Sequence, residues 1–224
     1  MAKKPVIAIS NVSHVNTDLL GLPEMDLPTG AEQQGDGSVL LILDVPVTLS
    51  STTGVAELFE HLVLHRLTGA DMRKVLDAKD GTKTMLARSL NLAPARLALL
   101  YGKMDAADVA AATKVVAEMV GFGEGLPEQA VKNADGSIDL PLLFPVELDD
   151  GPAPALKFHR LTGGDLDALK RTTGVQTLLT LLSRALKKPL KEIDALFDGM
   201  DGADVVAAQR VAGFLSGNGR LTGR

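Results

Sequence analysis

Along this chain apolar residues cluster first in short extended-looking runs and then at helical spacing, and the change of period happens twice. Residues 39–49 and 58–67 read as a pair of strands, and residues 140–148 and 155–161 as a second pair. Pro46 and Pro145 interrupt the first strand of each pair, and a residue without an N–H suits a sheet edge or a bulge. Asp149-Asp150-Gly151-Pro152 reads as the turn of the second pair, because Asp-Gly tolerates positive φ and proline presets its own. Each pair is expected to form a β-hairpin.

The helical half is punctuated by caps. Thr68 and Thr162 each precede an acid by three residues, Asp71 and Asp165, which is the pattern of a capping box. Helices are expected from there to about Ala78 and Arg171, then over 84–90 and 175–186. A third helix is expected to start at Pro94 and at Pro189, since proline is tolerated in a first turn. Asp105 and Asp201 cap a last helix, with Asp108 and Asp204 in its first turn. Val109, Ala112, Val116 and Met119 then fall at helical spacing, as do Val205, Ala208, Val211 and Leu215. Gly121 and Gly217 stop both.

The two halves share residues as well as pattern. Asp36-Gly37-Ser38-Val39 returns as Asp135-Gly136-Ser137-Ile138, an offset of 135 − 36 = 99, which also aligns Val45-Pro46-Val47 with Phe144-Pro145-Val146. Leu64-His65-Arg66-Leu67-Thr68-Gly69-Ala70-Asp71 returns as Phe158-His159-Arg160-Leu161-Thr162-Gly163-Gly164-Asp165, an offset of 159 − 65 = 94. Met104-Asp105-Ala106-Ala107-Asp108 returns as Met200-Asp201-Gly202-Ala203-Asp204, an offset of 200 − 104 = 96. Gly21-Leu22-Pro23-Glu24 has an echo in Gly125-Leu126-Pro127-Glu128. Blocks in one order, with length changes falling between them, indicate a tandem repeat. The expected fold is α+β, two repeats each made of a β-hairpin followed by about four short α-helices. The expected boundaries are an N-terminal arm at 1–35, module 1 at 36–121, a linker at 122–134, module 2 at 135–217 and a flexible tail at 218–224.

Composition narrows the functional classes. Aromatic residues are 3% of the 224, with Tyr101 the single tyrosine and no tryptophan, so stacking on bases is poorly supplied. The net charge is −5, and basic residues are scattered apart from Lys170-Arg171 and Lys187-Lys188, which argues against a nucleic-acid partner. Without cysteine there is no disulfide framework and no thiolate metal site. The apolar run near Met1 is too brief for a signal segment, and none approaches the roughly 20 residues that span a bilayer, so no membrane partner is expected and the chain reads as soluble.

Candidate chemistry is thin. His65-Arg66 and His159-Arg160 pair a titratable ring with a fixed cation, yet no nucleophile and acid accompany them, and each pair lies at a strand end. Asp105/Asp108 and Asp201/Asp204 lack the alternate spacing and closing Glu of a calcium loop, and acids in a first turn favour the helix dipole without any metal. Gly121-Phe122-Gly123-Glu124-Gly125 follows a helix, whereas a dinucleotide loop follows a strand. His61 and His65 would share a helical face, but their segment reads as strand, and zinc wants a third ligand. Thr173-Gly174-Val175 lacks the basic face of a helix-turn-helix reader. No cofactor, no metal and no enzymatic activity are therefore expected. His65, Arg66, His159 and Arg160 are left as candidate partner contacts.

The order of blocks in the second half resembles a known family. Leu140-Pro141-Leu142-Leu143-Phe144-Pro145-Val146, then the block from Phe158 to Leu166, then Met200-Asp201-Gly202-Ala203-Asp204 are similar to the small tail assembly chaperones of Mu-like long-tailed phages and prophages. The likeness covers about residues 137–217 well and 38–121 more loosely, and it departs from the family in carrying two modules. It implies a non-enzymatic chaperone in the host cytoplasm that coats the tape measure protein, recruits tail tube subunits and leaves before the virion matures; self-association is a further candidate contact. A permanent structural or adaptor component of a tail, or a duplicated small-ligand or enzyme domain, are the alternatives.

Overall fold

The computed structural model describes residues 24–50, 56–148 and 151–218. Most of the expected arm, the tail beyond residue 218 and the Asp149-Asp150 half of the turn lie outside these. The chain is α+β and runs through one order of elements twice. The first passage has β1 (Ala31–Gln33), β2 (Val39–Ser50), β3 (Ala56–Leu64), α1 (Gly69–Leu76), α2 (Gly81–Ser89), α3 (Pro94–Tyr101) and α4 (Ala106–Val120). The second has β4 (Val131–Lys132), β5 (Ile138–Leu148), β6 (Gly151–Phe158), α5 (Gly163–Leu169), α6 (Val175–Leu186), α7 (Leu190–Gly199) and α8 (Gly202–Gly213), which runs on into a wider helical turn at Phe214–Asn218.

Each sheet has three antiparallel strands rather than two, ordered β1-β2-β3 and β4-β5-β6. β1 and β4 fall in the segments expected as arm and linker, so each module begins earlier than the sequence pattern suggests. The repeated Asp-Gly-Ser is the turn that brings the extra strand back. Asp36 Oδ1 accepts the Ser38 N–H (2.9 Å) and hydroxyl (2.6 Å), and Asp135 does the same for Ser137 (2.9 and 2.6 Å). The glycine between them takes φ 81° in both copies, a conformation open to it because it lacks a Cβ.

The long strand of each sheet is broken by a bulge at its proline. Pairing passes from Ile42↔His61 to Val47↔Phe59, so 47 − 42 = 5 steps on β2 oppose 61 − 59 = 2 on β3. In the second sheet it passes from Pro141↔Ala155 to Val146↔Ala153, again 146 − 141 = 5 against 155 − 153 = 2. The surplus residues arch out of the ladder, which leaves their N–H groups without strand partners.

The helices are built as their caps dictate. Thr68 and Asp71 form a reciprocal capping box on α1, as Thr162 and Asp165 do on α5. Pro94 is the first residue of α3, and Pro189 stands one place earlier, as the cap of α7. Gly121 closes α4 in the left-handed region.

A single apolar cluster runs through both modules, from Val39, Leu41 and Leu64 in the first to Phe158, Leu179 and Val211 in the second. The modules join where α1 packs on α7 and α8, and α4 on α8. Gly69 sits at the tightest point of this junction. A Cβ there would lie 1.5 Å from the backbone carbonyl oxygen of Phe197, an overlap that side-chain motion cannot relieve. Its counterpart Gly163 has nothing within 4 Å of the same position apart from its chain neighbours and its own helix's backbone. Gly69→Ala should therefore destabilise the chain by about 3 kcal/mol or more in denaturant unfolding, and Gly163→Ala should leave the midpoint within about 0.5 kcal/mol of the parent.

Candidate functional site

The junction is where the sequence motifs converge. β3 ends at Leu64, and the His65 N–H donates to Ser89 O (2.8 Å), turning the chain toward α1. Leu67 then passes beside the segment that joins α7 to α8. The Gly69 N–H donates to Met200 O and the Gly202 N–H to Leu67 O, both at 2.7 Å, so Thr68 and Asp201 face one another as an antiparallel bridge. These two N–H groups belong to the first residues of α1 and α8, where helical N–H groups have no partner inside the helix. Each helix thus satisfies a donor on the other module.

Arg66 closes the site from the side. Its Nε donates to Asp201 Oδ2 (2.8 Å) and its Nη2 to Asp201 Oδ1 (2.7 Å), the bidentate fork that a planar guanidinium makes with a carboxylate. The side chains retain only 12% and 9% of their exposure. Nη2 also points at Met119 O (3.4 Å), and the guanidinium lies 5.5 Å from the Phe144 ring centre. Asp201 meanwhile accepts the Ala203 N–H (2.9 Å) as the cap of α8. Arg73 adds a more exposed contact to α7, pairing with Asp194 (3.1 Å) and Asp198 (2.9 Å) beside the Phe197 ring. Screening leaves such open pairs worth little.

Of the four residues singled out as partner contacts, Arg66 is therefore taken up inside the protein. The reason is the neighbouring module, which no local pattern reveals. His65 is exposed beside it, His159 is half-buried and Arg160 is exposed. The His159 N–H donates to Ala185 O (2.7 Å) just as His65 does to Ser89, so the backbone is alike in both copies and only what covers it differs.

Two carboxylates are the most deeply buried among the described residues, and their role differs from the expected one. Asp108 and Asp204 are 3% and 0% exposed, behind their helices' first turns rather than out at the dipole. Asp108 accepts the N–H groups of Asp44 (2.9 Å) and Val45 (3.3 Å). Asp204 accepts those of Leu143 (2.9 Å) and Phe144 (3.3 Å). These are the donors freed by the two bulges, so each acid pins a bulged strand to the last helix of its module. The other buried polar side chains are also engaged: Ser38 and Ser137 in the Asp-Gly-Ser turns, and Ser89 on His65 O (2.8 Å). The polar chemistry of the interior is architectural.

The outer faces of the two sheets are unlike. In the first, Leu40 pairs with Val63 and Ile42 with His61; Ile42 is 60% exposed and Val63 38%, with Leu58 further along β3 at 56%. In the second, the positions matching Leu40 and Val63 are Asp139 and Lys157, which also pair across the strands. The Leu40–Val63 pair of the first sheet is thus replaced by an Asp–Lys pair in the second, with Glu32 beside Leu40 and the exposed Val131 beside Asp139. Compared with known protein families, with curated proteins and with solved structures, the chain has no match.

Burial raises the Asp204 carboxyl to about 6, against the pull of the Leu143 and Phe144 N–H groups; Asp201 nearby raises it further and Arg66 opposes. The folded chain thus holds this proton more tightly than the unfolded chain, whose value is near 3.8. The stability this gives is complete below about 4 and is lost as the pH rises through about 6. Between those limits Asp204→Asn should flatten the pH dependence of the unfolding free energy by up to about 1.4 kcal/mol per pH unit. At the junction, Arg66→Ala strands a buried carboxylate and should cost about 3–5 kcal/mol in denaturant unfolding, whereas Arg160→Ala should cost less than about 0.5 kcal/mol.

Proposed function

We propose that this chain is a phage or prophage tail assembly chaperone that sheathes the tape measure protein in the host cytoplasm, helps to recruit tail tube subunits and departs before the tail matures. It acts by binding and not by catalysis. The observation that carries the reading is the apolar outer face of the first sheet, built from Leu40, Ile42, Leu58 and Val63. A long helix with an apolar stripe aggregates when bare, and exposed apolar side chains on a sheet face are a place to cover it reversibly. The order of sequence blocks shared with tail assembly chaperones supports the same reading. So does the interior, where the buried Asp108, Asp204 and Ser89 side chains hold backbone groups and the Ser38 and Ser137 hydroxyls hold the acids of their turns.

Among the described residues no helix is long and apolar enough to cross a membrane, which fits a partner met in water. The Asp139–Lys157 pair on the outer face of the second sheet supports different work for the two modules. The first grips apolar cargo, and the second is left for the tail tube subunit.

Co-expression with the tape measure protein tests this. The parent chain should keep the tape measure soluble and co-purify with it. Ile42→Glu with Val63→Glu, at exposed positions, should reduce the co-purified tape measure by about tenfold or more without moving the thermal midpoint. A tape measure protein that neither co-purifies with the parent chain nor gains solubility from it would end the proposal. Recovery of the chain in purified mature particles would replace it with a permanent tail component.

A further inference from the structure

The contact between the modules is one-way. Had a two-fold axis related them, each module would present the same patch, and Arg160-Leu161-Thr162-Gly163 would meet Met104-Asp105-Ala106 just as Arg66-Leu67-Thr68-Gly69 meets Met200-Asp201-Gly202. It does not. Gly69 is buried against Phe197, while Gly163 is exposed with nothing near it. α1 buries Gly69, Met72 and Val75, whereas α5 buries none of its residues although it carries Leu166 and Leu169 at the matching places. Arg66 holds Asp201, while Arg160 has no ion pair or side-chain hydrogen bond among the described residues, and its stem lies over Gly136. A groove of about 540 Å³ opens between Arg160, Thr162, Gly163 and Leu166 on one side and Phe214 and Leu215 on the other. In the first module Asp105 and Ala106, the counterparts of Asp201 and Gly202, are exposed.

A head-to-tail contact used once inside a chain leaves one unused socket and one unused plug. We infer that chains of this protein associate head to tail, the Met104-Asp105-Ala106 corner of one chain seating in the Arg160–Gly163 groove of the next. Leu161 and Gly163 would then exchange backbone hydrogen bonds with Ala106 and Met104 as Leu67 and Gly69 do with Gly202 and Met200, and Arg160 would fork onto Asp105. Because the contact is heterologous, it propagates into an open or ring-shaped assembly instead of stopping at a dimer. The inference rests on the comparison of the two modules and stands whether or not the cargo is a tape measure protein.

The contact between chains is weaker than the one within. Ala106 brings a Cβ where Gly202 has none; at residue 202 that atom would come 3.0 Å from Leu67 O and 3.2 Å from Leu67 Cβ, so the neighbour must yield by a few tenths of an ångström. The carboxylates that hold Arg73 are also missing, since Asp194 and Asp198 correspond to Ala98 and Gly102, and Arg73 itself to Asp167. Association is therefore reversible and depends on concentration.

Analytical ultracentrifugation of the full chain over a range up to about 1 mM reads this directly. The weight-average mass should climb past that of two chains as concentration rises. Gly163→Leu fills the groove from a position whose Cβ has open space, and Ala106→Trp enlarges the plug at an exposed helix start; each alone should sediment as a single chain with the parent's thermal midpoint. An equimolar mixture of the two variants, one with an intact plug and the other with an intact socket, should form a one-to-one dimer and go no further. If either variant loses its fold, Arg160→Glu, which has no partner to lose, takes its place and should lower the association constant at least tenfold. A parent chain of one-chain mass throughout, variants that associate like the parent, or a mixture that stays monomeric or grows beyond a dimer would each overturn the inference.

Discussion

Everything in this molecule is arranged around two backbone segments that approach until no side chain fits between them. At Thr68 and Asp201 the modules exchange a pair of 2.7 Å hydrogen bonds, and at Gly69 the separation leaves no space for a methyl group. Such an approach fixes register, because sliding either segment by one residue would push a Cβ into a carbonyl. The Arg66–Asp201 fork then makes the arrangement specific. A buried ion pair adds little net stability over an apolar substitute, but removing one partner is costly, so it penalises every other docking of the same surfaces. From this junction follow the shared core, the burial of α1 and the placement of α4 against α8.

The buried acids transmit that order to the sheets. A bulge next to a proline frees two adjacent N–H groups, and leaving them unpaired in the interior would cost a few kcal/mol. Asp108 and Asp204 meet both donors with both oxygens, from helices that themselves pack on the other module. The bulged strand, the last helix and the junction are therefore coupled parts. Asp204 lies one turn from Asp201, which cups Arg66, so its proton affinity, set first by burial and then by the bulge N–H groups, also carries a smaller imprint of the junction.

Much of this was legible in the amino-acid sequence, and the limits have physical causes. Caps and prolines act over a few residues, so the starts of α1, α3, α4, α5 and α8 could be read from Thr68, Pro94, Asp105, Thr162 and Asp201. β1 and β4 could not, because three and two residues are too few to show alternation, and only the Asp-Gly-Ser turn hinted that a strand came before it. Asp108 was read as a first-turn acid because its spacing is that of a cap; what sets it apart is a strand more than sixty residues away. Arg66 and Arg160 stand in the same five letters, His-Arg-Leu-Thr-Gly, so no reading of the letters separates the one that is buried from the one that is open.

That identity of letters with difference of circumstance is the most informative feature of the repeat. A module tethered by a short linker meets its neighbour at an effective concentration in the millimolar range, enough to saturate even a modest contact. Arg210 reinforces the tether by donating to the carbonyls of Glu124 and Gly125 at 2.8 and 3.0 Å, so the linker is itself held against α8. The internal interface can accordingly be tight and permanent while carrying the extra carboxylates on α7. The terminal faces have no tether, carry Ala106 in place of glycine, and lack the acids at the positions of Asp194 and Asp198. One docking geometry thus serves two purposes, divided by tethering and by a few substitutions: a fixed joint within the chain, and a contact between chains that responds to how many are present.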